Sequence, residues 1–440
     1  MKVLKFGSAS IATADKMKNV ANIVAQGSGN IIVLSSMRGT AEALTEVSGY
    51  LYKKNREGAI EIINRLEKQY RDLVSDLFAE ITEESFKLKA EEVVASKFDC
   101  IRTFTKDLFT LFEERVVMAQ SELLSSELFH LYLAGQKINA ALIPALEYLR
   151  TDKNSAPDPV YIKEKLTALL DAAKGAELFI TQGYICRNAY GEIDDLRKGG
   201  SDYTASLVGA AVGADEIQIW ADVHAMQNND PRYVKGTTAI RQLNFDEAAE
   251  LAYFGMKILH PSSILPAKLA DIPVCLKNTE YPDAAGTLIS NKTEARAIKA
   301  VAAKDNITAI KIKSGRMLLA HGFLRRVAEV FENYRTSIDM LATSEIGVSL
   351  TIDDDKNIQL ILNELKKYGT VSVDSDMVII SVIGDLESED AGFASAILNA
   401  VKGVSIRMIS YGGSKYNFSF LIENKDKERT LQILNDKLFN

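Results

Sequence analysis

Thiols, histidines and long apolar stretches are scarce in this chain of 440 residues, and each scarcity removes a class of function. The three cysteines, Cys100, Cys186 and Cys275, are scattered and odd in number. That pattern fits reduced thiols rather than a disulfide framework or a zinc site. Only four histidines occur, and no Ser/His/Asp arrangement can be drawn from them; His260, just before Pro261, reads as a packing or turn residue. No apolar run is long enough to cross a bilayer, and the opening residues lack the apolar region and cleavage site of a signal peptide. The expected location is therefore the cytoplasm, with no membrane partner. Neither GxxxxGK(S/T) nor GxGxxG is present, so the two commonest nucleotide signatures are missing. A net charge of -7, with both signs interspersed, argues against a nucleic-acid surface while leaving room for local basic pockets.

What is present is a globular composition, 47% hydrophobic and 25% charged, over a length that exceeds one core, so two or three domains are expected. The opening reads strand, glycine turn, helix, strand: Val3 to Phe6, Ala14 to Ala25, Ile31 to Leu34. That is the start of an α/β domain. From about 41 to 134 the pattern becomes helical, with Ile63, Leu66, Tyr70, Leu73 and Leu77 at three- and four-residue spacing. Strand-like runs return at Leu178 to Thr181 and Ile217 to Trp220, around a small-residue helix from Tyr203 to Gly213. Asn244 and Glu247 form a capping-box pattern, and Gly255 can end the helix they begin. After a charged cluster from Asn291 to Asp305 an imperfect repeat of about 70 residues begins. Gly322-Phe323 echoes Gly392-Phe393, and Ser337-Ile338-Asp339-Met340 echoes Ser405-Ile406-Arg407-Met408. Each copy reads strand, helix, strand, strand, starting at Thr308 or Met377, and two such copies can pair their sheets and cover each other's edges. A duplicated tail of this kind suits ligand sensing at a seam.

Phosphate chemistry has several candidate segments, each with an ordinary reading beside it. Lys5-Phe6-Gly7-Ser8-Ala9-Ser10 places a lysine at a strand end before a tight turn whose amides and hydroxyls can face phosphate oxygens. A surface lysine before an ordinary turn explains it equally. Lys198-Gly199-Gly200-Ser201-Asp202 sets a cation, a hydroxyl and a carboxylate around paired glycines, which suits either phosphoryl transfer or a plain helix start. Trp220-Ala221-Asp222-Val223 ends a strand, and Asn229-Asp230-Pro231-Arg232 lies one loop away, at the edge where open α/β sheets bind ligands. Phe254 to Pro261 sets Lys257 beside a helix-ending glycine. Glu122, in helical sequence, either reaches an ammonium group or faces water.

Taken in order, these segments resemble the aspartokinase family over nearly the whole chain. Lys5-Phe6-Gly7 matches its KFGGTS, Ser121-Glu122 its GE, Thr181 to Tyr184 its TQGF and Gly199 to Asp202 its RGGSD. Trp220 to Arg232 matches WTDVDG and the DPR after it, and Glu250 to Pro261 matches ELAYFGAKVLHP. The resemblance implies a fold of the α/β class: an amino-acid kinase three-layer α/β/α sandwich followed by two ferredoxin-like βαββ (ACT) regulatory domains. The implied boundaries are 1–295 for the kinase domain, with its helical insertion at about 41–134, and 306–375 and 376–440 for the ACT domains. It implies aspartate kinase activity with ATP and Mg2+, no protein-held metal, and a homodimer or dimer of dimers.

By the same resemblance Lys5 and Asp202 are catalytic, the first neutralising the transferring phosphoryl group and the second orienting the cations around it. Glu122 holds the substrate ammonium, and Ser35, Tyr184, Lys198 and Ser201 line the aspartate pocket. Gly7, Ser8, Ala221, Asp222, Arg232 and Lys257 position the nucleotide. Met317, Gly322, Phe323, Leu324, Ile338, Asp339, Ser344 and Glu345 form the effector site, for lysine or else threonine. The chain departs from the family at Ser8 and Ala9, at Ser121, at Arg197 where glycine is usual, at Lys198 where arginine is usual, and at Ala221, His224 and Ala225. Two other readings stand beside an aspartate kinase: a catalytically weak amino-acid sensor acting on a partner, and a kinase for glutamate or another carboxylate.

Overall fold

The computed structural model describes residues 1–106, 108–197, 199–222, 225–255, 259–292, 298–313, 321–386 and 392–439. The chain divides into two compact units, Met1–Met226 with Leu259–Asn291, and Gln227–Ile258 with Lys292–Asn440. The second thus takes in Gln227–Ile258, which the sequence division leaves in the kinase domain.

The first unit opens with β1 (Lys2–Phe6), α1 (Ala14–Val24) and β2 (Asn30–Leu34). Thr13 caps α1 by accepting the Lys16 N–H, as a β-region hydroxyl residue before a helix should. Four long helices follow, α2 (Thr40–Tyr52), α3 (Arg56–Leu77), α4 (Glu84–Thr103) and α5 (Leu111–Gly135), in the block whose periodicity predicts helices. Thr110 and Glu113 form a capping box at the start of α5. The chain continues through β3 (Ala140–Leu142), α6 (Ala145–Tyr148), α7 (Pro159–Ala172), β4 (Leu178–Gln182), β5 (Ile185–Arg187), β6 (Ile193–Asp195), α8 (Gly200–Val212) and β7 (Glu216–Ala221). It enters the second unit for β8 (Gln242–Asn244) and α9 (Phe245–Tyr253), then supplies the first with α10 (Leu265–Leu269), β9 (Val274–Asn278) and β10 (Thr287–Ser290).

In the first unit the strands lie in the order β3-β4-β2-β1-β7-β9-β10. All neighbours are parallel except β10, which runs against β9. Residues 31–34 and 178–182 are buried throughout, as strands covered on both faces should be. The order reverses at β1, with β2 on one side and β7 on the other, and ligands bind outside the carboxyl ends of strands at such a switch point.

The second unit continues with β11 (Ile298–Lys313), α11 (Phe323–Asn333), β12 (Leu341–Ser344), β13 (Gly347–Ile352), α12 (Ile358–Leu365), β14 (Thr370–Gly384), α13 (Phe393–Ala400), β15 (Met408–Tyr411), β16 (Asn417–Glu423) and α14 (Lys427–Leu438). Its sheet has the order β12-β13-β11-β14-β16-β15, antiparallel throughout. The two central strands are longer than the sequence repeat indicates, starting at Ile298 and Thr370 instead of Thr308 and Met377. Each is bent where a non-glycine residue takes a left-handed conformation, Asn306 (φ 59°) and Asp376 (φ 56°), and the β11–β14 register shifts between Lys304 and Ile307. On one side of the bend Ile310, Ile312, Val348 and Leu350 pack with Phe323, Val327 and Phe331 of α11. On the other, Val378, Ile380, Phe418 and Phe420 pack with Ile397 of α13 and Leu431 of α14. Two α/β layers therefore share one sheet.

Candidate active site

The carboxyl ends of β1, β2, β4 and β7 meet the first turn of α8. Gly7 follows β1 and its N–H donates to the Trp220 carbonyl at 3.2 Å, while Ser35 N–H, after β2, donates to the Phe6 carbonyl at 3.2 Å. Gly183 N–H, after β4, donates to the Leu34 carbonyl at 2.8 Å. Phe6 and Trp220 stack beneath, with ring centroids 5.7 Å apart.

Lys5 and Asp202 are brought together from distant parts of the sequence. Lys5 Nζ lies 2.6 Å from Asp202 Oδ1, with both side chains mostly buried. The approach is that of an ion pair, since Oδ1 has no partner in hydrogen-bond geometry. A Cβ on Gly7 would sit 3.4 Å from Lys5 Nζ, so the glycine leaves space beside the ammonium. Asp202 is the third residue of α8. The helix starts at Gly200, three residues earlier than its apolar pattern predicts, because Gly199 (φ 87°) and Gly200 (φ 53°) turn the chain into it. The carboxylate thus stands at a helix N-terminus, where negative charge is favoured.

Glu122, on α5, is buried, and its Oε2 has no hydrogen-bond partner. Burial pushes its carboxyl up to about 8; hydrogen bonds from the Ser36 N–H and hydroxyl and the nearby Lys5 charge pull the other way without cancelling it. Ser125 Oγ donates to the Ser35 carbonyl at 2.8 Å, tying α5 to the end of β2.

Ser201 and Tyr184 complete the wall. Gly183 lies so close to Ser201 that a Cβ there would come within 2.3 Å of the serine Cβ and Oγ. Tyr184 is left-handed (φ 66°), and its N–H donates to Thr204 Oγ1 at 2.9 Å. Its phenol donates to Asp195, and burial first, then Asp195 and the charge of Glu122, raise it above the ordinary tyrosine value. Asp194 pairs with Arg115 of α5 at 3.2 Å. Sequence reasoning missed Ser36, Thr204, Asp194, Asp195 and Arg115; the adjacent carboxylates at 194 and 195 were the available signal.

The remaining candidates are placed as follows. Ser8 is exposed at the start of a 3-10 turn, while Ser10 Oγ, a possible phosphate donor from sequence, donates to the Trp220 carbonyl at 3.3 Å. The Ala221 carbonyl accepts the Thr279 N–H at 3.0 Å, and Asp222 beside it is exposed. Arg232, in the second unit, is held by Asp230, with Nη2 to Oδ2 at 2.6 Å and a largely exposed side chain. Lys198, Lys257 and Met317 lie outside the described residues. Among the described residues no group of three or more His, Cys, Asp or Glu side chains gathers as a metal site.

In the second unit Gly322 (φ 80°) caps α11, Phe323 gives its ring to the core, Ile338 packs against that core, and Leu324 is exposed. Ser344 Oγ donates to the Gly347 carbonyl at 3.4 Å, and Glu345 is exposed. The Asp339 side chain is fully buried, accepting from Lys304 Nζ at 2.6 Å and from the Tyr253 hydroxyl at 2.8 Å. Lys304 and Tyr253 were not singled out from sequence.

Comparison with known proteins identifies the family. Residues 1–278 match the amino acid kinase family and residues 380–438 match an ACT domain. The chain is 32% identical to the lysine-sensitive aspartokinase 3 of Escherichia coli, over 99% of each protein. It is 31% identical to the chloroplastic aspartokinase 1 of Arabidopsis thaliana, over 99% of this chain and 80% of that protein. The crystal structure of E. coli aspartokinase III with lysine and aspartate superposes with a TM-score of 0.82 at 30% identity, each chain covered fully. The same protein with aspartate and ADP gives 0.82 at 29% identity. No described helix is long and apolar enough to cross a membrane. An amino-acid kinase sheet with a buried Lys5–Asp202 pair at its switch point, an ACT tail and relatives of this similarity over the full length lead to one assignment: the chain belongs to the aspartokinase family, the aspartate kinases.

Proposed function

We propose that the protein transfers the γ-phosphoryl group of MgATP to the side-chain carboxylate of L-aspartate, giving 4-phospho-L-aspartate. This is the first step toward lysine, threonine, methionine and diaminopimelate, taken in the cytoplasm by a homodimer or dimer of dimers. The observation that carries the reading is the Lys5–Asp202 pair beside the buried, partly unsatisfied Glu122. Aspartate binds with its ammonium at Glu122 Oε2, against the wall of Ser35, Tyr184 and Ser201, and Lys198 is assigned to this pocket by family resemblance. Its ionised β-carboxylate attacks the γ-phosphorus while the bond to the ADP oxygen breaks, so no general base is needed. The Lys5 ammonium neutralises the charge that spreads over the phosphoryl oxygens. The nucleotide lies along Gly7, Ser8, Ala221 and Asp222, and Arg232 and Lys257 are assigned to it by family resemblance. A magnesium ion carried on ATP phosphates would be held near Asp202, whose Oδ1 is paired with Lys5 Nζ at 2.6 Å, since such an ion asks for only one or two carboxylates beside the phosphates. When bound it lowers the negative charge of the phosphates. We keep the domain division 1–295, 306–375 and 376–440, with an amino-acid effector, lysine before threonine, at the ACT pair.

The test is hydroxylamine trapping of the acyl phosphate from purified, folded protein with MgATP and aspartate, glutamate or no amino acid. Aspartate-dependent hydroxamate is expected. Its absence at saturating substrates would transfer the reading to an amino-acid sensor, and a glutamate preference would transfer it to another carboxylate kinase.

A further inference from the structure

Two residues on either side of the β5–β6 segment hold backbone conformations that side chains other than glycine rarely take: Tyr184 at φ 66° and Arg197 at φ 55°. They lie at the two ends of the β5–β6 hairpin, in which Ile185 pairs with Asp195. Both are held by the same side chain. Asp195 Oδ1 accepts the Arg197 N–H at 2.7 Å, and the Asp195 carboxylate also accepts the Tyr184 phenol. The hairpin is anchored in turn, because Asp194 receives the Asp195 N–H at 2.8 Å and is paired with Arg115 on α5, the helix that carries Glu122.

We propose that Asp195 is a positioning residue of the acceptor site, clamping Tyr184 and Arg197 so that the glycine turn delivers Ser201 and Asp202 in working register. The inference rests on the reading of this pocket as the aspartate site. Its physical basis is local. Arg197 must enter the glycine turn in a left-handed conformation that glycine would take without help, and an acceptor two residues earlier in the chain holds its N–H there. Tyr184 is fixed at both ends, its N–H on Thr204 of α8 and its hydroxyl on Asp195, so the ring spans from the Asp202 helix to the hairpin. The phenol stays protonated and is therefore the donor in this contact. Among the described residues Asp195 is bonded to Asp194, Arg197 and Tyr184 and not to the Lys5–Asp202 pair, so it acts through others.

The experiment uses the full chain with Asp195→Ala, Asp195→Asn, Arg197→Gly and the Asp195→Ala/Arg197→Gly double variant, reading steady-state kinetics and amide hydrogen exchange over residues 183–204. Asp195→Ala should raise the KM for aspartate roughly 10-fold, the loss of one charge-assisted hydrogen bond, and leave the KM for ATP within about 2-fold. Asp195→Asn, which keeps an acceptor oxygen, should recover part of that loss. Arg197→Gly should recover most of it in the double variant, because glycine needs no clamp. Exchange over 183–187 and 196–204 should speed up in Asp195→Ala and slow again in the double variant. An Asp195→Ala protein with unchanged aspartate KM and unchanged exchange overturns the proposal. So does a loss that falls equally on ATP and that Arg197→Gly does not relieve. Should the wild type turn over no aspartate, the function reading fails by itself, and the exchange pattern alone decides the clamp.

Discussion

Lys304 Nζ lies 2.6 Å from Asp339 Oδ1 and 2.9 Å from Asp353 Oδ2, so the carboxylate expected to meet an effector ammonium already holds an ammonium of its own chain. The Tyr253 ring closes the site, with Lys304 Nζ 4.3 Å from its centroid, and two carboxylates with an aromatic face make a cage for an alkylammonium group. Burial pulls the Lys304 charge down, and its bonds to Asp339 and Asp353 more than reverse that, leaving it raised. Asp339 Oδ2 is buried and without a hydrogen-bond partner. Lys304→Met should therefore destabilise the protein by about 3 kcal/mol, the usual cost of leaving one member of a buried pair alone. Thermal unfolding checks this, and free lysine should raise the Tm of the variant more than that of the wild type. Equal shifts would separate Asp339 from effector binding.

Replacing Lys5 tests the transfer step. Lys5→Met keeps the length of the side chain but removes the charge opposite Asp202. Loss of one preorganised charge-stabilising group costs about 100- to 1,000-fold in turnover. Hydroxamate formation at saturating substrates should fall by that factor while circular dichroism stays unchanged. A variant within a few-fold of wild type would remove Lys5 from the reaction.

Glu122 makes aspartate use depend on pH. With its carboxyl pushed up to about 8 by burial, most of the protein near neutrality holds Glu122 uncharged, and an ammonium needs the carboxylate. The KM for aspartate should fall about tenfold for each unit of pH between 6.5 and 7.5 and level off above 8. Glu122→Gln should give a high KM that no longer responds. Stability runs in the opposite sense. Between the ordinary glutamate value and about 8 the folded chain keeps a proton that the unfolded chain has lost, so raising the pH through that window removes stability. Urea unfolding at pH 6 and pH 8.5 should show a smaller pH-dependent decline in Glu122→Gln than in wild type.

Gly183 is a steric requirement. An added Cβ would come within 2.3 Å of Ser201, and the overlap must push the end of β4 away from α8. Overpacking at such a point costs roughly 1–3 kcal/mol. Gly183→Ala should lower the Tm and raise the KM for aspartate, and Ser201→Gly in the same chain should restore part of the Tm but not the KM. Unfolding curves together with kinetics distinguish these effects.

Much of the scaffold could be read from the sequence because its signals are local. Periodicity marks the helical block at about 41–134 that α2 through α5 fill, without separating the four helices, and Asn244 with Glu247 forms the capping box at α9. The start of α8 was read late, since Gly200 and Ser201 carry turn composition while already lying in the helix. The first part of β11 was missed because Ala300 and Ala302 are buried but small, and the charged residues Lys299, Lys304 and Asp305 interrupt the apolar pattern. Site residues that belong to contiguous motifs, such as Lys5, Ser201 and Asp202, stood out. Asp195, Thr204 and Lys304 did not, because their importance depends on distant partners brought near by folding. The left-handed backbone of Arg197 was invisible for another reason: arginine carries no preference for it, and only the Asp195 contact reveals what holds it.

The route of the chain between its two units also governs how the protein is made. Strand β7 pairs with β9, yet the residues between them include Gln227–Ile258, which belong to the other unit. Likewise the opening residues of β11 find their partners in the final residues of β14, after α11, β12, β13 and α12 have been laid down. A polypeptide emerging from the ribosome amino end first must therefore hold β7 with an open edge, and then Ile298 to Lys304 unpaired, until later segments arrive. Contacts of this span slow folding and leave apolar strands exposed meanwhile. No single cut in the gene can deliver either unit whole.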